Sequence, residues 1–127
     1  MMLLIVAYEN CFCGENGMNM IWVGDYDSIP QAEDDAIAAS YEIMEKYNSI
    51  QDILNEDCEK YLNDNLYPWS SDDWDDAYEY IISENVAYDM WEIEDKELFG
   101  KTAKEVSELC NKIGIDNFLE HYKCCRL

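Results

Sequence analysis

The distribution of charge along the chain is the strongest constraint on its fold. Residues 25–97 contain 23 acidic side chains and three basic ones, and the formal net charge of all 127 residues is −21. Self-repulsion on this scale opposes compact folding, and so large a net charge is not needed for solubility. A folded chain that keeps such a charge is expected to use it on a cationic partner.

The composition predicts a folded domain despite this charge. Hydrophobic residues make up 49% of the chain, with four Trp, ten Tyr and three Phe. Disordered acidic segments usually lack such residues, and each aromatic side chain can bury roughly 150–250 Å². The length suits one core. We therefore predict a single acidic domain over residues 1–127.

The apolar segments are too short for a membrane protein. No stretch approaches the roughly 20 apolar residues needed to cross a bilayer. The run Met1 to Ala7 has no basic leader and is followed at once by polar residues, which favours a strand over a signal peptide. We expect a cytoplasmic protein that does not bind membranes and whose six cysteines stay reduced.

Three segments have the composition of strands. Leu3 to Glu9 and Met18 to Tyr26 flank a polar turn with two glycines, which favours an antiparallel hairpin. Val86 to Glu94 is the third predicted strand, although its alternation is disturbed at Trp91.

Three further segments have the caps and the apolar period of amphipathic helices. Ser28 is the predicted N-cap of a helix to about Tyr47, and Ser49 of a second helix that ends before Pro68. Ser70 and Ser71 precede the third helix. Its apolar positions follow helical spacing most closely: Trp74, Ala77, Tyr78, Ile81 and Ile82.

The last 30 residues predict two shorter helices. Thr102 and Glu105 form a capping box for a helix through Ile113, and Asp116 is the predicted cap of a helix to about Lys123. The sum is an α+β domain in which a small antiparallel sheet of about three strands packs with four to five helices. From Leu98 onward there are four acidic and five basic residues, so this part is nearly neutral and could support the fold or form a homodimer.

The densest carboxylate cluster opens the third helix. Aspartates in the first turn of a helix interact favourably with its dipole. Four aspartates in the five positions 72–76 nevertheless exceed what capping needs. With Trp74 and Tyr78 turned inward, the carboxylates project outward around Tyr80, where aromatic rings and carboxylates together could bind arginine. The predicted partner-binding residues are Asp34, Asp35, Glu42, Asp72, Asp73, Asp75, Asp76, Glu79 and Tyr80.

Rows of carboxylates on helices can imitate the charge of a nucleic acid. Four residues advance a helix by about 6 Å, whereas B-DNA has a charge about every 3.4 Å of axis per strand. One helix is therefore too sparse, but several acidic helices side by side could approach the charge density of a short duplex.

The order of strand, turn, strand and a Ser28-capped acidic helix resembles that of many small phage proteins. In its small size, in the acidity of residues 25–97 and in its amphipathic helices, the chain also resembles a recognised class of proteins. These are the small acidic inhibitors of phages and mobile elements, including anti-restriction and anti-CRISPR proteins that mimic nucleic acids. The resemblance implies that the chain occupies the cationic nucleic-acid-binding site of a nuclease or defence effector, in the cytoplasm of the host cell if a phage encodes it. No motif aligns, so no residue roles are implied.

Two alternatives remain open on the sequence. An immunity protein against a nuclease toxin would use the same electrostatics. A structural or regulatory zinc module is the other alternative, and its candidate ligands are Cys11, Cys13, His121, Cys124 and Cys125.

Other chemistry is not predicted. An EF-hand fails because Ile29 and Pro30 stand where a ligand and glycine are required, and no phosphate-binding glycine loop is present. His121 is the only histidine and lacks a local nucleophile signature. We predict neither an enzyme nor a cofactor, and the net charge makes direct binding to nucleic acid an unfavourable hypothesis.

Overall fold

The first strand, β1 (Met2–Glu9), lies in the interior of an antiparallel sheet. In the computed structural model, which describes residues 1–127, β1 pairs with β2 (Met20–Asp25) on one side and β3 (Val86–Ile93) on the other. A short strand, β4 (Cys124–Arg126), pairs with the end of β3, and the strand order is β2-β1-β3-β4. The predicted α+β class and antiparallel sheet are confirmed, with four strands where about three were predicted.

The sequence did not predict strand β4, because contacts with residues distant in the chain hold it in place. Asp95 accepts a 2.8 Å hydrogen bond from the N–H of Lys123, just before the strand. The guanidinium of Arg126 lies 2.7 Å from Asp89 and 5.7 Å from the ring centre of Trp91. Three residues cannot show an alternating pattern, so the local sequence carries no strand signal.

Five α-helices complete the fold, in agreement with the predicted four to five. They are α1 (Ile29–Lys46), α2 (Asn48–Asn65), α3 (Ser71–Asn85), α4 (Ala103–Ile113) and α5 (Ile115–His121). Two short 3-10 turns, Glu15–Gly17 and Lys96–Leu98, lie in the connections. None of the helices is long and apolar enough to span a lipid bilayer.

The structure confirms the predicted caps at Ser28 and Thr102, and it shows that Ser70 and not Ser71 is the N-cap of α3. The Ser28 hydroxyl accepts from the N–H of Gln31 at the start of α1. Ser70 caps α3, and Thr102 with Glu105 forms the predicted capping box of α4. These caps were predictable because each motif lies within four consecutive residues.

Two predicted caps are wrong. Helix α2 begins at Asn48, two residues earlier than an N-cap at Ser49 would allow, because the single extended residue Tyr47 both ends α1 and precedes α2. Helix α5 follows Gly114, whose φ of 86° turns the chain directly out of α4, so Asp116 falls in the first turn and does not cap.

The sheet is covered on both faces. Alternate residues of β1 point to opposite sides, so Leu3 and Ile5 pack against α1 while Leu4 packs against α4 and α5. All three are fully buried, which contributes roughly 1.5–3 kcal/mol each to stability. The helices α1, α2 and α3 therefore lie on one side of the sheet, and α4 and α5 on the other.

A close packing of β2 against α1 fixes the acidic side of the domain. The ring of Tyr26 lies over Gly24, where a Cβ atom would come within 2.4 Å of the ring. The Tyr26 hydroxyl accepts a 3.0 Å bond from the Trp22 indole and donates a 2.9 Å bond to Asp35 on α1. This arrangement needs glycine at position 24 and places the first turns of α1.

Helices α2 and α3 form a hairpin next to α1. The buried residues Cys58 and Leu62 of α2 pack against Ala77 of α3. Near the turn of the hairpin, the rings of Trp69 and Trp74 lie 5.7 Å apart. The hairpin thus has a small core bordered by aromatic rings, and Tyr78 and Ile81 connect it to the cluster on the sheet.

Candidate functional site

The three helices on one side of the sheet carry most of the charge, and we call α1, α2 and α3 together the acidic layer. There are five carboxylates on α1, five on α2 and six on α3, with Lys46 and Lys60 as the only basic side chains. The nearly neutral helices α4 and α5 lie on the opposite side. The fold therefore separates charge into two sides of the molecule.

Basic side chains of the chain do not neutralise the acidic layer. The structure has two ion pairs, Met1 amine with Asp25 and Arg126 with Asp89, and neither involves α1, α2 or α3. The ammonium of Lys46 lies 5.6 Å from the ring centre of Tyr47 instead of on a carboxylate. The carboxylates of the layer are thus available to cations from outside.

Most of the predicted partner-binding residues are exposed. They form one group on α1, namely Asp34, Asp35 and Glu42, and another on α3, namely Asp72, Asp75, Asp76, Glu79 and Tyr80. Helix α3 packs mainly on α2, whereas α1 packs on the sheet, so the two groups are parts of one side and not a single cluster. Asp35 also holds the Tyr26 hydroxyl, which gives it a structural role.

Asp73 differs from its neighbours because it caps α3. Its Oδ2 atom accepts a 2.9 Å bond from the N–H of Ser70 and a 3.2 Å bond from the Ser70 hydroxyl, and its own N–H returns a bond to that hydroxyl. Its side chain is partly buried. A substitution here would change helix stability as well as charge.

The charge density of the hairpin is comparable to that of a nucleic acid. Helix α3 is roughly 22 Å long, so its six carboxylates are spaced by roughly 3.7 Å along the axis. Helix α2 is roughly 27 Å long and adds five carboxylates. Over that length the hairpin therefore has one carboxylate roughly every 2.5 Å. B-DNA has a charge about every 3.4 Å per strand and about every 1.7 Å for both strands. The spacing of carboxylates along the hairpin falls between these two spacings of phosphate charges.

Apolar side chains are exposed near the turn of the hairpin, which the sequence predicted for Tyr80 but not for Leu66 and Tyr67. Leu66, Tyr67 and Tyr80 are 48%, 77% and 49% exposed. The ring of Tyr80 lies 5.4 Å from that of Tyr61 on α2, at 36° between the planes. The sequence alone places Tyr61 on the apolar stripe of α2 and does not identify its partner. The pairing depends on how α2 and α3 pack, which the periodicity of one helix does not contain.

The candidate zinc ligands do not come together. Cys11 and Cys13 follow the end of β1, where Glu9 pairs with Val86, whereas Cys124 pairs with Ile93 at the other end of β3. Seven residues of strand separate these ends by roughly 20 Å. No group of three or more His, Cys, Asp or Glu side chains is arranged to hold a metal ion. The zinc hypothesis required the termini to meet, and the register of the sheet prevents this.

The partly buried thiols are held in the protonated form. Burial, followed by the nearby charge of Glu9, raises the pKa of Cys11 to about 11. Burial, followed by the charge of Asp95, raises the pKa of Cys124 to about 11 as well. All six cysteines are free. Thiols with such pKa values are poor nucleophiles at neutral pH.

The largest surface groove lies away from the acidic layer. It has a volume of about 600 Å³ between α4 and α5, and it is lined by Ile113, Asn117, Glu120, His121 and Tyr122. His121 packs edge-on against Tyr122, with 4.7 Å between ring centres. The lining includes no cysteine or serine, so the groove does not provide a nucleophile for His121 to activate.

A comparison of the chain with protein-family models, with curated proteins and with solved structures gives no match. The candidate site therefore depends on the geometry and charge described above.

Proposed function

We propose that this protein is an acidic inhibitor that occupies the cationic nucleic-acid-binding site of another protein, such as a nuclease or a defence effector. The observation that carries the proposal is the acidic layer, whose carboxylates outnumber its lysines and take part in no ion pair. Unpaired charge of one sign on one side of a fold lowers stability, which is consistent with a use in binding.

Competition with nucleic acid is the mechanism that the charge density supports. A protein that binds DNA gains much of its affinity by releasing counterions from phosphates. The acidic layer would offer the same site a comparable density of charge on folded helices. Because the helices are already ordered, binding would not require the chain to fold at the same time. We expect both proteins to meet in the cytoplasm.

The hairpin of α2 and α3 is the part of the layer that we propose enters the partner's site. It has the highest density of carboxylates, and it exposes Leu66, Tyr67 and Tyr80 near its turn. Well-packed aromatic anchors surrounded by polar contacts carry most of the energy in many interfaces. Charge would then guide the encounter, and the apolar residues would slow dissociation.

The test compares the wild-type chain with a charge-reduced variant, Asp72→Asn, Asp75→Asn, Asp76→Asn and Glu79→Gln. Asp73 is kept because it caps α3. Each protein is immobilised and used to capture partners from the source cells, and the captured proteins are identified by mass spectrometry. We expect a nucleic-acid-binding protein that the wild-type chain captures and the variant does not.

A displacement measurement completes the test. The captured partner is purified and bound to a labelled nucleic acid, and the wild-type chain is added while a gel-shift assay follows the complex. Release of the nucleic acid supports the proposal. A ternary complex, or equal capture by both chains, would show that the acidic layer does not occupy the nucleic-acid-binding site.

A further inference from the structure

A small pocket lies between α2 and α3, close to the turn of the hairpin. It has a volume of about 210 Å³ and is lined by Tyr61, Leu66, Asp73, Asp76, Ala77 and Tyr80. Pockets for small-molecule ligands usually have roughly 300–1,000 Å³. The size is therefore suited to one side chain of a partner and not to a cofactor.

The walls of the pocket combine aromatic rings and an aliphatic side chain. The rings of Tyr61 and Tyr80 lie 5.4 Å apart and are tilted by 36°, and about half of Tyr80 stays exposed. Leu66 is also half-exposed beside them. A flat group could stack on the open face of Tyr80, while an attached aliphatic stem packs against Leu66.

Two carboxylates border the same pocket. Asp73 uses its Oδ2 atom to cap α3, which leaves Oδ1 for other partners. Asp76 is exposed, lies one turn further along α3, and is in neither of the two ion pairs of the structure. The pocket thus offers acceptors and negative charge, but no cation of its own chain.

Guanidinium is the group that fits both kinds of wall. It is planar, stacks on aromatic rings and donates paired hydrogen bonds to a carboxylate, whereas the ammonium of lysine is a compact and strongly hydrated charge. We propose that this pocket binds an arginine side chain of the partner, with the guanidinium on Tyr80 and Asp76. The inference rests on the proposed function, because that function requires a cationic partner.

Peptides of known composition test the pocket without the natural partner. Labelled oligoarginine and oligolysine of equal length and charge are titrated with the full chain at about 0.05 M salt, and fluorescence anisotropy gives the affinities. We expect oligoarginine to bind about fivefold more tightly, or better, because lysine stacks poorly. Equal affinity for the two peptides would overturn the proposal.

Matched variants locate the preference. Tyr80→Ala should remove the preference for oligoarginine. Phe99→Ala should keep it, because Phe99 is an exposed aromatic residue outside both the pocket lining and the acidic layer. Asp76→Asn should weaken oligoarginine binding more than Asp75→Asn, which removes the same charge from an exposed residue that does not line the pocket. Equal effects within either pair would contradict the pocket. Tyr80→Leu, which keeps apolar packing against Tyr61, repeats the test if Tyr80→Ala does not fold.

The outcomes separate this inference from the proposed function. If both peptides bind equally and salt weakens both, the acidic layer still attracts cations but the pocket does not select arginine. If neither peptide binds at low salt, the electrostatic basis of the proposed function fails together with the pocket.

Discussion

The hydroxyl of Ser40 on α1 donates a 2.5 Å hydrogen bond to the backbone carbonyl of Tyr8 on β1. The same hydroxyl accepts a 3.3 Å bond from the N–H of Ala87, which pairs with Tyr8 in the neighbouring strand. Ser40 is fully buried. One side chain thus connects the helix to two adjacent strands, and it fixes the acidic layer on the sheet.

Replacing Ser40 by Ala should lower the free energy of unfolding by about 1–3 kcal/mol, since two partly buried backbone groups lose a partner. Urea denaturation monitored by tryptophan fluorescence measures the change. Ser83→Ala is the control, because its hydroxyl donates a similar bond to the carbonyl of Tyr80 at an exposed position. The control should change stability by no more than about 0.5 kcal/mol. Equal losses in the two variants would contradict the role of Ser40.

Asp73 and Asp75 should separate stability from binding. Asp73→Ala removes the capping box of α3 and should cost about 1 kcal/mol of stability. Asp75 is exposed beyond the first turn of the helix, so Asp75→Ala should leave stability within about 0.5 kcal/mol while lowering affinity for the partner.

Thermal unfolding and a binding titration of both variants provide the measurements. If Asp75→Ala lost as much stability as Asp73→Ala, the carboxylates of α3 would be needed for the helix itself. If its affinity for the partner were unchanged, Asp75 would lie outside the interface.

Salt should have opposite effects on the fold and on its complex. Raising NaCl from about 0.01 to about 0.5 M shortens the Debye length from roughly 30 to roughly 4 Å. Screening weakens the repulsion within the acidic layer, so the melting temperature of the free protein should rise. It also weakens attraction to a cationic partner, so the dissociation constant of the complex should rise as well.

The charge-reduced variant is the control for the salt effect. With four fewer charges on α3, its melting temperature should rise less with salt than that of the wild type. A melting temperature that does not change, or that falls, would show that self-repulsion within the acidic layer does not limit stability.

The local features of the fold could be predicted, and the non-local ones could not. The stripe from Trp74 to Ile82 and the caps at Ser28, Ser70 and Thr102 are contained in short segments, and the structure confirms these helices. Strand β4 and the pairing of Tyr61 with Tyr80 depend on residues far apart in the chain. No periodicity within one segment reports such contacts.

The charge of the candidate site could also be predicted in part. An exposed position for most carboxylates follows from amphipathic spacing alone. The role of Asp73 could not be predicted, because the sequence does not show whether Ser70 or Ser71 is the N-cap. The structure shows that Ser70 is the N-cap. Asp73 is therefore the third residue of the helix, and its side chain completes the capping box.

Asp95 should make the attachment of β4 sensitive to acid. Hydrogen bonds from the N–H groups of Lys123 and Glu97 hold the pKa of Asp95 below its usual value of 3.8. A depressed folded-state pKa adds stability above the usual value, and this contribution is lost as pH falls through the lower, folded-state value. The stability difference between the wild type and Asp95→Asn should therefore be largest above about pH 4 and shrink in stronger acid.

Urea denaturation of both proteins across this pH range measures that difference. Protonation of the other carboxylates affects both proteins alike and cancels when the two are compared. A difference that stays constant down to the lowest pH at which both fold would mean that the charge of Asp95 does not hold the strand.

The carboxylate of Glu9, together with burial, should lower the reactivity of Cys11. Glu9 is fully buried, its Oε2 atom accepts a 2.8 Å bond from the N–H of Phe12, and its Oε1 atom has no partner. Its charge is the second cause, after burial, of the raised pKa of Cys11. Glu9→Gln keeps an acceptor for Phe12 but removes the charge, so the pKa of Cys11 should fall. The fraction of thiolate at about pH 9 then rises, and alkylation by iodoacetamide becomes faster.

Peptide mapping of the alkylated protein over time follows each thiol separately. Cys13 and Cys125 are exposed and should react first in both proteins. Cys124 is the internal control, because its pKa is also about 11 but depends on burial and Asp95. Faster alkylation of Cys11 alone would show that Glu9 acts through its charge. Equal acceleration at Cys124 would instead show that the substitution opens the whole fold, since the two thiols lie at opposite ends of the sheet.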